Sequence, residues 1–149
     1  MLLNVVTDEQ LLTSQIVKSI LLLILAVGII FNFIRMLRVV PVKKRTINFV
    51  IFIFLTFILS IVLRAYRIEA ALLKSPVFVS GTTLGYCNVF AEGRGIEFEY
   101  ETDGKKFQRC NTFHPISPDS IKVPGGRYMV RISKKFPNQG RMDFMKKAN

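Results

Sequence analysis

Two uninterrupted apolar runs constrain this chain more than anything else in it. Ile16 to Ile34 reads IVKSILLLILAVGIIFNFI, with Lys18 as its only charge, and Ile47 to Leu63 reads INFVIFIFLTFILSIVL with none. A helix that crosses the hydrocarbon of a bilayer needs roughly 20 apolar residues, with about 17 as the lower bound. Both runs qualify, so residues 16–34 and 47–63 are expected to be transmembrane helices. Half of all residues are apolar, yet Lys and Arg total 21 against 10 acidic residues, a formal charge of +11. The two properties coexist because they are segregated: nearly all the apolar excess precedes residue 76. The 75 or so remaining residues are too few to bury both runs inside a soluble domain. Lys18, near one end of its run, is expected to snorkel to the interface. Thr56 and Ser60 sit four apart on one face of the second helix, where hydroxyls bond back to the i−4 carbonyl.

A cleaved signal peptide fits the first run poorly. Its leader, MLLNVVTDEQ, carries Asp8 and Glu9 where a basic region is required, and its apolar stretch is too long. Residues 1–15 therefore read as an N-terminal flank. The segment between the helices, 35–46, carries Arg35, Arg38, Lys43, Lys44 and Arg45 with no acid. The positive-inside rule puts such a short basic loop in the cytoplasm and both chain termini on the periplasmic or extracellular side of a bacterial inner membrane. Arg64, Arg67 and Lys74 beyond the second run reduce that bias without reversing it. Past Leu63 the helical pattern continues to Ser75-Pro76, where the proline forces the preceding residue out of the α region. This extension reads equally as a stalk that prolongs the second helix, giving 47–75 as one element, or as a segment lying flat at the interface.

Residues 76–149 carry the strand signals. VFVSGTTLGYCNVF, β-branched and aromatic, fits a long strand bent at Gly81 or Gly85. GIEFEYET alternates Ile96, Phe98 and Tyr100 against Glu97, Glu99 and Glu101. Asp103-Gly104 then supplies a type I′ hairpin turn, which needs positive φ at both central residues. In that register Glu101 faces Lys106 and Tyr100 faces Phe107. HPISPDS is a loop, IKV a short strand at most, and Pro124-Gly125-Gly126 a turn. RYMVRIS turns Tyr128, Val130 and Ile132 inward, with Arg127, Met129 and Arg131 outward. FPNQG reads as another turn, with RMDFM as a last short strand. The fold class is thus a membrane protein of α+β type: a two-helix transmembrane hairpin, then a small, mostly antiparallel β domain of four or five strands. An SH3-like or OB-like, partly open barrel is the expected arrangement, and an open curled sheet packed on the stalk helix is the alternative.

Several pieces also resemble a bacterial family of small membrane proteins with no assigned function, which carry a β domain beside one or two membrane helices. The matching residues are Gly81-Thr82, Arg94-Gly95, Tyr100, Asp103-Gly104-Lys105, the run from Gly126 to Arg131, and Pro137-Asn138. The resemblance covers about half the chain. It implies architecture and an envelope setting, and brings no catalytic residue.

The inventory of reactive groups is thin. The only histidine, His114, lies beside Pro115, four residues after Cys110, and pairing the two as base and nucleophile has no third group to orient it. Cys87, Cys110 and His114 lack a fourth ligand and C-x-x-C clustering, so no metal site and no cofactor are implied. Glu97, Glu99 and Glu101 read as a solvated strand face with one cross-strand ion pair. Cys87 and Cys110 can form a disulfide if their strands approach, although a simple meander places the second strand between them. The β domain has 12 basic against 7 acidic residues. Arg127, Arg131, Lys134, Lys135, Arg141, Lys146 and Lys147 are its candidate contacts to an anionic surface, lipid headgroups first. An exterior domain disfavours nucleic acid as a partner.

The function expected from the sequence is non-enzymatic: an anchored envelope protein whose β domain binds a protein partner or a second copy, as an accessory or assembly subunit. The Tyr128–Ile132 strand and the edge at Val77 are its candidate strand-addition surfaces. An immunity-type protein that shields the membrane from a toxin and a ligand-sensing module are the alternatives.

Overall fold

The computed structural model describes residues 6–38, 41–89, 93–112 and 116–148. Two helices, α1 (Asp8–Leu37) and α2 (Val42–Lys74), precede five strands: β1 (Pro76–Val89), β2 (Gly93–Thr102), β3 (Lys105–Asn111), β4 (Arg127–Ser133) and β5 (Phe136–Lys147). The chain divides into two compact units, residues 13–67 and residues 1–12 with 68–149.

In the helical unit, Phe33 and Phe52 meet with ring centroids 5.9 Å apart. A Cβ on Gly28 would lie 3.7 Å from Leu55 Cδ1, in ordinary van der Waals contact. Leu25, Val62, Asn48 and Lys18 are buried, whereas Ile16, Leu23, Phe31, Phe54, Phe57 and many other large apolar side chains are exposed. Both helices are long and apolar enough to cross a membrane. Thr56 and Ser60 donate to the carbonyls of Phe52 and Thr56, as hydroxyls at helix-interior positions do. Lys18 departs from expectation: it is buried, and its ammonium donates to Ser14 Oγ at 2.6 Å instead of reaching outward.

Helix α1 starts well before its apolar run, because Thr7 caps it. The Thr7 hydroxyl accepts from Gln10 N–H, the Thr7 carbonyl from Leu11 N–H, and Asp8 and Glu9 occupy the positive end of the helix dipole. Residues 8–15 of the N-terminal flank are therefore helical. Helix α2 runs unbroken to Lys74, in line with the stalk reading, and β1 begins at Pro76.

The sheet has the order β3-β2-β1-β4-β5, with every neighbour antiparallel. Asp103 and Gly104 have φ of 50° and 70°, and the turn sets Glu101 opposite Lys106 and Tyr100 opposite Phe107. β1 slips register between Thr83 and Gly85, so the long strand bends at this bulge. The core lies on the inner face: Ile96, Phe98, Tyr100, Tyr128, Val130, Ile132, Met142 and Phe144, with Ile121 from the β3–β4 connection.

Three local expectations are corrected. The segment IKV is a turn held against β1: Thr83 Oγ1 donates to Lys122 O and accepts from Gly126 N–H, and Tyr128 Oη accepts from Lys122 N–H. FPNQG is not a turn but the start of β5; the reversal falls at Lys134-Lys135. The turn-like composition reflects an irregular ladder: the β4–β5 register shifts between Arg131 and Ser133, and Pro137 has no N–H to donate. The Tyr100 hydroxyl supports this irregular stretch instead, donating to Pro137 O at 2.7 Å and accepting from Gly140 N–H at 2.9 Å. Finally, β4 lies between β1 and β5, so neither Tyr128–Ile132 nor Val77, which faces Ile132, is an edge.

The sheet remains open, with β3 and β5 as its edges. They approach through side chains: Asn111 Nδ2 donates to Met142 O at 3.0 Å, and Arg109 to Gln139 Oε1 at 2.9 Å.

Candidate functional site

Four strands build a polar groove of about 230 Å³ on the outer face of the sheet. Its side chains are Ser80 and Thr82 from β1, Glu99 and Glu101 from β2, Lys106 from β3 and Arg127 from β4. The two-residue alternation of each strand puts all six on the face opposite Phe98, Tyr100 and Val130. Register then groups them. Thr82 has Glu99 on one side and Arg127 on the other, and Glu101 faces Lys106 across the hairpin.

The floor of the groove is held from beneath. Gly81, between Ser80 and Thr82, points inward where a Cβ would lie 2.5 Å from Val130 Cγ2 and 2.9 Å from Glu99 O. The absence of a side chain there lets β1 settle onto the core. Tyr100, between Glu99 and Glu101, is fixed at its ring by Phe98 and Phe107 and at its hydroxyl by β5. Burial pushes the Tyr100 phenol above its ordinary pKa, against the opposing pull of the Gly140 N–H and the Arg109 charge.

None of the six groove side chains makes a hydrogen bond or ion pair with another described residue. The register that faces Glu101 with Lys106 is present, but the ion pair expected from it is not formed. By contrast, Gln108 just outside the groove donates to Glu97 at 2.9 Å. Two carboxylates, two hydroxyls, an ammonium and a guanidinium thus face solvent together with no side-chain partner among the described residues.

The cationic residues read from the sequence as one surface set divide in two. Lys134, Lys135, Lys146 and Lys147 are exposed, as is Arg127 at the groove. Arg131 and Arg141 are not available to an external anion, which corrects their place in that set. Arg131 is 4% exposed; it donates through Nε to Leu72 O and through a terminal nitrogen to Val6 O, both at 3.0 Å, and pairs with Asp8 at 2.6 Å. The Arg141 guanidinium meets the fully buried Glu69 carboxylate at 3.2 Å. Burial draws the Arg141 pKa below its ordinary value, and Glu69 draws it back. The outer face of β4 and β5 is covered at this point by residues 6–8 and the last turns of α2, so strand alternation alone could not identify these arginines as interior. Leu11 and Leu72, both fully buried, meet beside them.

Cys87 and Cys110 are joined by a disulfide, with Cα atoms 6.1 Å apart. β2 does run between their strands, as a meander requires, and Gly95 resolves the conflict. It is the Cα partner of Cys87, and a Cβ on it would lie 2.8 Å from Cys110 Sγ and from Asn111 O. The bridge crosses β2 at Gly95, where no side chain stands in its way. At the same end of the sheet the Arg94 guanidinium lies 3.9 Å from the Tyr86 ring centroid. His114 lies outside the described residues. Of the basic loop, Arg35 lies in the last turn of α1 with its guanidinium 6.0 Å from the Phe31 ring centroid, Arg38 follows that helix, and Lys43, Lys44 and Arg45 lie in the first turn of α2.

The groove was only half legible from sequence. The Glu97–Glu99–Glu101 stripe and Lys106 are apparent in the hairpin, but Ser80, Thr82 and Arg127 join them through β1 and β4 registers that no local signal encodes. No protein-family model matches this chain, and neither a curated protein nor a solved structure matches it.

Proposed function

We propose that this is a non-enzymatic envelope protein of a bacterial inner membrane, anchored by α1 and α2, that displays its β unit on the periplasmic or extracellular side as a binding module. The observation that carries the reading is the Cys87–Cys110 disulfide within the β unit. Disulfides persist in oxidising compartments and are rare in the cytosol of mesophiles. The basic residues between the helices favour the opposite side for the loop. The first turn of α1 and the last turns of α2 belong to the same compact unit as the sheet, and the loop joins the other ends of those helices. Redox chemistry and charge therefore agree on one orientation.

The strand order β3-β2-β1-β4-β5 with side-chain links between β3 and β5 supports an OB-like, partly open barrel. As a binding module the protein serves a larger envelope assembly as an accessory subunit. Labelling of intact cells with a membrane-impermeant maleimide tests the orientation. Reaction of Cys87 and Cys110 only after an impermeant reductant is the expected result. Reaction only after lysis, with no reductant needed, would put the β unit in the cytoplasm and defeat the proposal.

A further inference from the structure

We infer that the outer-face groove formed by Ser80, Thr82, Glu99, Glu101, Lys106 and Arg127 is a glycan site that takes a chain of N-acetylated amino sugars. The inference names a ligand for the displayed β unit and rests on that reading for its biological setting.

The groove lacks a free strand edge. At its centre β1 is paired on both sides: Gly81 and Thr82 face Tyr100 and Glu99 on β2, and Tyr128 and Arg127 on β4. Those backbone groups belong to the ladder, so an extended peptide finds here no free edge of the kind that strand addition uses. Recognition must come from side chains. The carboxylates of Glu99 and Glu101 only accept, the Lys106 ammonium and Arg127 guanidinium only donate, and the hydroxyls of Ser80 and Thr82 do both.

A ligand that satisfies this set carries donors and acceptors closely interspersed and no net charge. Two carboxylates against two cations leave the groove neutral, and the carboxylates repel a phosphate backbone, which argues against nucleic acid. Sugar hydroxyls suit the carboxylates, which accept several O–H bonds each. An acetamido group adds one N–H for a glutamate and one C=O for the arginine or lysine, so it uses both signs at once. The volume is below the roughly 300 Å³ at which enclosed small-molecule clefts begin. Such a groove holds one or two rings of a chain whose remainder stays in solvent.

The test is a titration of the full chain, in detergent micelles, with N,N′-diacetylchitobiose, followed by amide chemical shifts. Trialanine and a ten-residue thymidine oligonucleotide serve as competitors of other classes. The expected result is a saturable response confined to β1, β2, β3 and the start of β4. Binding should weaken about tenfold or more in Glu99→Gln and in Arg127→Gln, because each removes a charge-assisted hydrogen bond. Glu97→Gln, outside the groove, should bind like the parent. All three positions are solvent-facing, and retention of the disulfide and of the far-ultraviolet spectrum reports that each variant is folded. No saturable response at millimolar disaccharide, an equal response to trialanine or the oligonucleotide, or equal binding by the groove variants would overturn the inference. Because binding is measured in micelles, it stands or falls separately from the cell labelling that tests orientation.

Discussion

At the scale of single residues, one missing side chain and one side chain hold the β unit in shape. Gly95 is the condition for the disulfide: any Cβ there competes with Cys110 Sγ and with the Asn111 carbonyl for the same space. Gly95→Ala is therefore expected to leave Cys87 and Cys110 partly or wholly unbridged, read as free thiols by mass after alkylation without reductant. Gly85→Ala is the matched control, because a Cβ there meets nothing within 4 Å. Tyr100 is the second such residue. Its hydroxyl serves both Pro137 O and Gly140 N–H, so Tyr100→Phe leaves a buried N–H and a carbonyl without their partner and should cost about 1–3 kcal/mol of stability. The same phenol has its pKa raised in the folded state. The unfolded chain thus loses its phenol proton first, near pH 10, while the folded chain keeps it. Stability from this group is fully present below pH 10 and is lost as pH rises through the folded value. An alkaline denaturation series should show that decline in the parent and a weaker one in Tyr100→Phe.

At the scale of elements, the ends of α1 and α2 are joined to the β unit by charge as well as by apolar contact. Glu69 is 1% exposed and the Arg141 side chain 11% exposed, so neither charge is free to relax into water. Breaking such a buried pair by removing one charge costs about 3–5 kcal/mol, whereas replacing both members by apolar residues of similar volume is close to neutral. Glu69→Gln should lower the thermal midpoint of the protein in detergent sharply, and Glu69→Leu combined with Arg141→Met should recover most of the loss. Equal damage from the single and double replacements would show that packing, and not the charge pair, holds this junction. Element boundaries were legible where a local chemical signal exists. Pro76 ends α2, and Asp103-Gly104 turns β2 into β3. They were illegible where the deciding partner is remote in sequence. Pro137-Asn138 has the composition of a turn, and a hydroxyl that supports it as strand, that of Tyr100, lies 37 residues away.

For the whole molecule, the apolar runs at 16–34 and 47–63 and the alternating hairpin around Asp103-Gly104 were written in the sequence, because hydrophobic periodicity and turn chemistry are properties of neighbours along the chain. Those signals determined two long apolar helices followed by an antiparallel β unit, and they determined which face of β2 and β4 forms the core. Only the tertiary structure decided which outward-facing groups meet water. Arg127 and Arg131 sit four apart on the same strand face, yet one lines an open groove and the other is buried under residues 6–8 and the end of α2. The disulfide has the same character: two cysteines 23 residues apart allow a bond, but the approach of β1 and β3 across Gly95 makes it. Strand alternation assigns a side chain to a face. What covers that face depends on strand order and on chain segments distant in sequence, and those are set by packing.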